Sequence, residues 1–175
     1  DNTVHKNIED GTQPAPLVLA GLASYKALYD HSWCHLLALP DELKQLGKSQ
    51  SSDFKKETVL RSEIPMLNEI TDDVSSKVRQ QYEENPYPRW VSLGLPFEPR
   101  AIAEIAKSIN LKVSDKKIYD CNIPQILVAG CGTGQHSIET AARFKDCNVL
   151  AIDLSLSSLA YAKRKTEELG LKNIE

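Results

Sequence analysis

Apolar positions along this chain change their spacing several times, and each change predicts a different element. From Ala15 the spacing is helical, with Val18, Leu22, Tyr25 and Tyr29 at i, i+4, i+7 and i+11 on one face. The residues before it, 1–13, are polar and turn-rich, and we expect them to be poorly ordered. A second apolar cluster, Trp33, Leu36, Leu37 and Leu39, runs to Pro40, after which Asp41 can cap a short helix that Gly47 ends. Gly47 to Lys56 is rich in Ser and Lys without a period and reads as a linker. Helical spacing resumes near Thr71. Thr71, Asp72 and Asp73 offer capping oxygens and negative charge where a helix N-terminus needs both, and Val74, Val78 and Tyr82 form a stripe. Pro86 and Pro88 stop that helix, and Tyr87, Arg89 and Trp90 follow in extended form. A further amphipathic helix is predicted over about 98–109, with Ile102, Ile105, Ala106 and Ile109 inward, then a charged connector over 112–120.

From Pro124 the texture changes. Gln125 to Ala129 is a short, nearly continuous apolar run of the kind found in a parallel strand buried on both faces. A glycine-rich turn and a helical stretch over 135–145 follow it. Asn148 to Asp153 is a second apolar run ending in an acid, and Ser155 can cap a long helix to about Leu169, with Gly170 placed as a C-cap glycine. Asn173-Ile174 begins a third strand. Strand, helix, strand, helix, strand is the start of an α/β fold, the N-terminal part of a Rossmann-like doubly wound parallel sheet preceded by a helical segment. The expected organisation is a helical segment over 1–46, a connecting linker over 47–70, a helical lead-in over 71–121, and the first half of the sheet domain over 122–175. No internal repeat is visible.

Composition narrows the function less than the pattern does. The 175 residues are 41% apolar and 26% charged, an ordinary globular balance. A formal net charge of −3 leaves no electrostatic footprint for nucleic acid or an anionic membrane. Cys34, Cys121, Cys131 and Cys147 show no CxxC pair, which favours a reducing compartment and a cytoplasmic location over a disulfide scaffold. The longest apolar stretch, Pro16 to Ala23, is too short to span a bilayer and lacks a basic leader. The chain opens on Asp1 and closes one residue pair into a predicted strand, so we expect a fragment, with the other half of the sheet domain absent.

The chemistry concentrates at Gly130-Cys131-Gly132-Thr133-Gly134, between the first strand of the sheet and its helix. Glycines there permit positive φ and let a ligand approach the backbone without interference from a Cβ. Asp153 stands at the C-terminal tip of the next strand, where open α/β sheets bind their ligands, and a carboxylate there can accept from both hydroxyls of a ribose. The spacing excludes the dinucleotide fingerprint, because its third glycine would fall on Gln135 or Ser137. A P-loop is excluded too, since no G-x-x-x-x-G-K-[ST] occurs. What remains is G-x-G-x-G.

That pattern resembles motif I of class I S-adenosylmethionine-dependent methyltransferases. The stretches Ile126 to His136 and Ala151 to Lys165, with Val78 to Trp90 upstream, are similar to a bacterial group in which tetratricopeptide repeats often precede the catalytic domain. The resemblance covers about 74–175. Val128 departs from the wider superfamily, many of whose members place an acid two residues before the first glycine. The resemblance implies that S-adenosylmethionine is the cofactor. Ala129, Gly130, Cys131, Gly132 and Gly134 would form the loop beneath its methionine and ribose, with Gln135 at the start of the adjoining helix. Asp153 would take the ribose hydroxyls and Leu154 would lie against the adenine. It further implies methyl transfer by the intact parent to an unidentified acceptor, with no catalytic base assignable in this chain and with the truncated chain inactive alone.

Several other residues invite a reading. Tyr82, Tyr87, Arg89 and Trp90 could form a lid over the cofactor, the aromatics covering its sulfonium cation or Arg89 pairing with its carboxylate; alternatively the segment only packs against the first helix of the domain. Asn85-Pro86-Tyr87-Pro88 differs from the N-P-P-Y loop of nucleobase amino-methyltransferases, because Tyr87 separates the prolines. His31, Cys34 and His35 lack the further ligands a zinc site needs, and we expect no metal. Lys163-Arg164-Lys165 with Glu167-Glu168 reads as a solvated helix face. Two rivals stand beside the enzyme reading. One is a non-catalytic methyltransferase-like adapter contacting a protein partner through the N-terminal helices, and the other is a nicotinamide-dependent oxidoreductase. No membrane partner is expected.

Overall fold

The computed structural model describes residues 2–175 and divides into two compact units, one ending at Thr58 and one spanning Val59–Glu175. In the first unit, α1 covers Asn2–Glu9. Val4 and Ile8, one turn apart on α1, bury themselves with Trp33 in a small core flanked by Leu22 and Leu37. Residues 2–9 are therefore helical, within the stretch 1–13 that the sequence predicts to be poorly ordered. Helix α2, Pro16–Tyr25, starts with proline in its first turn and stops where Lys26 becomes extended. Its buried residue is Leu19, while Val18 is half exposed and Tyr25 is 95% exposed. The expected face is corrected for a physical reason: Pro16-Leu17-Val18-Leu19-Ala20 is apolar all round, so spacing alone cannot select a side. Tyr29 falls in a separate 3-10 turn, Leu28–Asp30, and Cys34–Leu36 forms another.

A 3-10 turn at Asp41–Leu43 leads into α3, Lys44–Gly47. Asp41 lies inside that turn and pairs with Lys44 Nζ at 2.5 Å, so it does not serve as the cap. The chain then continues as a π turn, Lys48–Ser52, and α4, Asp53–Glu63. Helix thus occupies the stretch read as linker. Ser49 Oγ donates to Leu46 O at 3.0 Å and Ser52 Oγ to Lys48 O at 3.2 Å, so these serines satisfy themselves on the preceding turn instead of breaking it.

In the second unit, α5 spans Asp73–Glu84, and its N-cap Asp72 accepts from Ser75 N at 2.7 Å as the capping pattern implied. The stripe of Val74, Val78 and Tyr82 is exposed, and the half-buried side carries Ser75, Arg79 and Glu83. Helix α6, Ile102–Ser108, buries Ala106. Ile109 lies beyond its end and is exposed, because Asn110 turns the chain with φ 51° and Leu111 N returns to Ala106 O at 2.9 Å. A 3-10 turn, Lys116–Asp120, occupies the charged connector.

Strands β1, Gln125–Ala129, and β2, Asn148–Ile152, are parallel, in register from Gln125↔Asn148 to Ala129↔Ile152. Between them runs α7, Gln135–Arg143, and after them α8, Leu156–Glu168. One face of the sheet buries Ala141, Cys147 and Val149 together with Ile126, Val128 and Ile174. The other face is open: Leu127 is 61% exposed and Leu150 47%. Burial on both faces, expected from the apolar runs, is thus corrected to burial on one, because among the described residues no element covers the second face. Ile174 makes a single parallel bridge to Val149, and no third strand forms among the described residues. Asn173 anchors that bridge, donating from Nδ2 to Ala141 O at 2.9 Å and Cys147 O at 3.1 Å. The architecture is a two-stranded parallel sheet flanked by helices, a partial Rossmann-like fold.

Candidate functional site

The glycine turn is built from backbone bonds that end on β2. Gly130 N and Cys131 N both donate to Ile152 O, at 2.8 and 3.0 Å, and Gly134 N donates to Cys131 O at 3.0 Å. Gly130, Gly132 and Gly134 take φ of 73°, 53° and 83°, a region that L residues with a Cβ avoid. Beside Gly130 and Gly132 the space is open, since a Cβ there would meet nothing within 4 Å. Gly134 is different. A Cβ on it would stand 2.5 Å from Ala162 Cβ, so its bareness allows α7 to start against α8.

Asp153 closes the turn from the other strand. Its Oδ2 accepts from Gly132 N at 2.8 Å and its Oδ1 accepts from Ser155 N at 2.9 Å. Each carboxylate oxygen keeps a second lone-pair direction, so the group is held and still able to accept from a ligand. The sequence placed Asp153 and the glycines at one site, and the structure brings Asp153 into hydrogen-bond contact with Gly132 of the turn. Ala129 ends β1 just before the turn, Gln135 opens α7, and Leu154 lies half exposed after Asp153. Cys131 is buried, and its thiol is pushed up to about 12, first by burial and then by the Asp153 charge. It is a neutral packing group, not a nucleophile.

The segment after α5 is tied to this turn through Thr133. Thr133 Oγ1 donates to Pro88 O at 2.7 Å, and Trp90 Nε1 donates to Thr133 O at 3.1 Å. The Trp90 ring meets Tyr161 of α8 edge-on, with centroids 5.9 Å apart, and Lys165 Nζ lies 4.8 Å over it. The Arg89 guanidinium lies 4.6 Å over the Tyr161 ring. Tyr161 donates its hydroxyl to Trp90 O, and Lys165 Nζ donates to Val91 O at 2.9 Å. Tyr82 and Tyr87 are exposed, Tyr87 the more so. Arg89 therefore ties the lead-in to α8, and Trp90 ties it both to α8 and to Thr133 of the turn. Lys165 and Arg164, read from sequence as part of a solvated face, are buried and paired with Glu168, Lys165 against this segment and Arg164 over the Tyr161 ring.

Sequence reasoning missed Thr133 and Glu83. Glu83 of α5 accepts at Oε2 from Ser155 Oγ at 3.0 Å and from Ser157 N at 3.1 Å, and pairs through Oε1 with Arg61. These partners are 72 and 74 residues distant, beyond the reach of any local pattern. In the first unit the His31 ring stacks on Trp33 with centroids 4.5 Å apart, and His35 Nδ1 bonds to Ser32 O at 2.8 Å. Among the described residues no three His, Cys, Asp or Glu side chains converge as a metal site, and no helix is long and apolar enough to cross a membrane.

Residues 126–175 match the family described as a methyltransferase domain. Over 63 residues the chain is 35% identical to the tRNA (guanine-N(7)-)-methyltransferase of Rubrobacter xylanophilus, which is 36% of this chain and 28% of that protein. The chain thus spans little more than a quarter of the length of that curated relative. Among solved structures, coclaurine N-methyltransferase bound to N-methylheliamine and SAH aligns over 97% of this chain and 48% of that one, at 17% identity and a TM-score of 0.35. The sequence likeness, over those stretches, is to methyltransferases.

Proposed function

We propose that residues 122–175 bind S-adenosylmethionine, and that the intact protein transfers its methyl group to an acceptor nucleophile. The observation that carries this reading is the union of the turn and the acid: Asp153 is held by Gly132 N at the mouth of a positive-φ glycine turn whose outer side is open. The residues present fit the cofactor. Asp153 would accept from the ribose hydroxyls, and the bare backbone at Gly130 and Gly132 would admit the ribose and methionine to van der Waals contact. Leu154, half exposed next to Asp153, would offer an apolar surface to the adenine. The match of residues 126–175 to a methyltransferase domain supports the same assignment.

The cofactor when bound supplies an electrophilic methyl on a sulfonium. This chain's part in the reaction is orientation, since in-line displacement depends mainly on holding nucleophile and methyl at the right distance and angle. The stretches Ile126 to His136, Ala151 to Lys165 and Val78 to Trp90 support placing the protein in the bacterial group often fused to tetratricopeptide repeats. The helices of the first unit are the proposed surface for a protein partner. Photo-crosslinking of S-adenosylmethionine labelled on the methyl group tests the cofactor assignment. Label is expected in peptides between residues 126 and 154, competed by S-adenosylhomocysteine. Labelling confined to residues 1–58, or none, would overturn it.

A further inference from the structure

Asp153 does not reach its orientation alone. Its Oδ1 is fixed by Ser155 N, and Ser155 is the fully buried N-cap of α8, its Oγ accepting from Ser158 N at 3.0 Å. That same Oγ donates to Glu83 Oε2, which also accepts from Ser157 N in the first turn of α8. Glu83 is itself largely buried, its side chain 17% exposed, and pairs with Arg61. The series Arg61, Glu83, Ser155, Asp153 therefore runs from α4 through the lead-in helix α5 to the glycine turn, one direct contact at a time. Two carboxylates share the N-terminal end of α8. The helix dipole favours both, and the Arg61 guanidinium offsets the charge of the one farther from the turn.

Ser155 already caps this helix, so a second carboxylate on it is not needed merely to begin α8. We propose that Glu83 is a positioning residue for the ribose-binding carboxylate, acting through Ser155 to fix the rotamer of Asp153. This inference rests on the reading that Asp153 accepts from a ribose. Its consequence is that the lead-in helix, far from the glycine turn in sequence, sets selectivity for the ribose of the ligand.

The test compares the affinities of the intact protein for S-adenosylhomocysteine and for its 2′-deoxyribosyl analogue. Wild type is expected to prefer the ribosyl ligand, and Asp153→Ala to abolish that preference. Glu83→Ala is expected to weaken the ribosyl ligand about tenfold, the size of one lost hydrogen bond to a charged group, while changing the deoxy analogue far less. Adding Glu83→Ala to Asp153→Ala should then cost nothing further, because both act on one contact. Glu83→Gln, which keeps an oxygen for Ser157 N and loses the charge, should fall between wild type and Glu83→Ala, and it decides the matter if far-UV dichroism shows that Glu83→Ala does not fold. An unchanged preference in Glu83→Ala, or an equal loss for both ligands, would overturn the positioning role while leaving the cofactor reading intact. A wild type without ribose preference, or an Asp153→Ala variant that keeps it, would overturn the cofactor reading and the inference with it.

Discussion

The three glycines of one five-residue turn serve different ends, and substitution should separate them. Gly130 and Gly132 answer to positive φ and open space, whereas Gly134 answers to positive φ and to Ala162 on α8. Gly130→Ala should cost about 1 kcal/mol of left-handed strain. Gly134→Ala should cost roughly 2–4 kcal/mol, because overpacking against a backbone-anchored Cβ adds to that strain. Urea unfolding of the two variants checks the order, and equal losses would contradict it. Cys131, held neutral by burial and by the Asp153 charge, should resist alkylation at pH 8, while exposed Cys121 reacts. Peptide mapping after iodoacetamide reads this directly. At this scale the glycines and Asp153 were legible because their spacing is local. Thr133 and Glu83 were not, because each is defined by partners more than forty residues away.

Among the elements, the ends of α8 explain how the lead-in is held. At its C-terminal end Arg164 Nη1 and Lys165 Nζ approach Glu168 at 2.6 and 3.1 Å, and Lys165 also reaches Val91 O. Burial alone would raise the Glu168 carboxyl, but the Lys165 hydrogen bond and the Arg164 charge outweigh it and hold it at about 2. A folded value below the unfolded one means stability that is complete above the ordinary glutamate range and is lost as pH falls toward about 2. Melting temperatures between pH 6 and 3 should therefore drop less steeply in Glu168→Gln than in wild type, from a lower starting point. Parallel acid limbs would contradict this. The first two strands and α8 were read from sequence to within a residue or so, since capping by Ser155 and termination by Gly170, with φ 70°, are local signals, whereas the third strand expected at Asn173-Ile174 is only a single bridge. The face of α2 was not legible, being apolar on all sides, nor was the helix over 48–63, where Ser49 and Ser52 bond to carbonyls of the preceding turn instead of breaking it.

Taken as a molecule, the chain holds a small helical unit with its own core around Trp33 and a second unit in which a two-stranded parallel sheet carries the candidate site. The class of fold was legible from the alternation of strand and helix after Pro124. The exposure of Leu127 and Leu150 was not, because an apolar strand reads the same whether one face or both are covered. Residues 126–175, which match a methyltransferase domain, lie in the second unit. Calorimetric titration of S-adenosylhomocysteine into the intact protein, with NAD in parallel and Asp153→Ala as the altered protein, measures the central claim most directly. Binding of S-adenosylhomocysteine that Asp153→Ala severely weakens, with no heat from NAD, is the expected result. A folded protein that takes NAD in its place, or that binds neither, would contradict it.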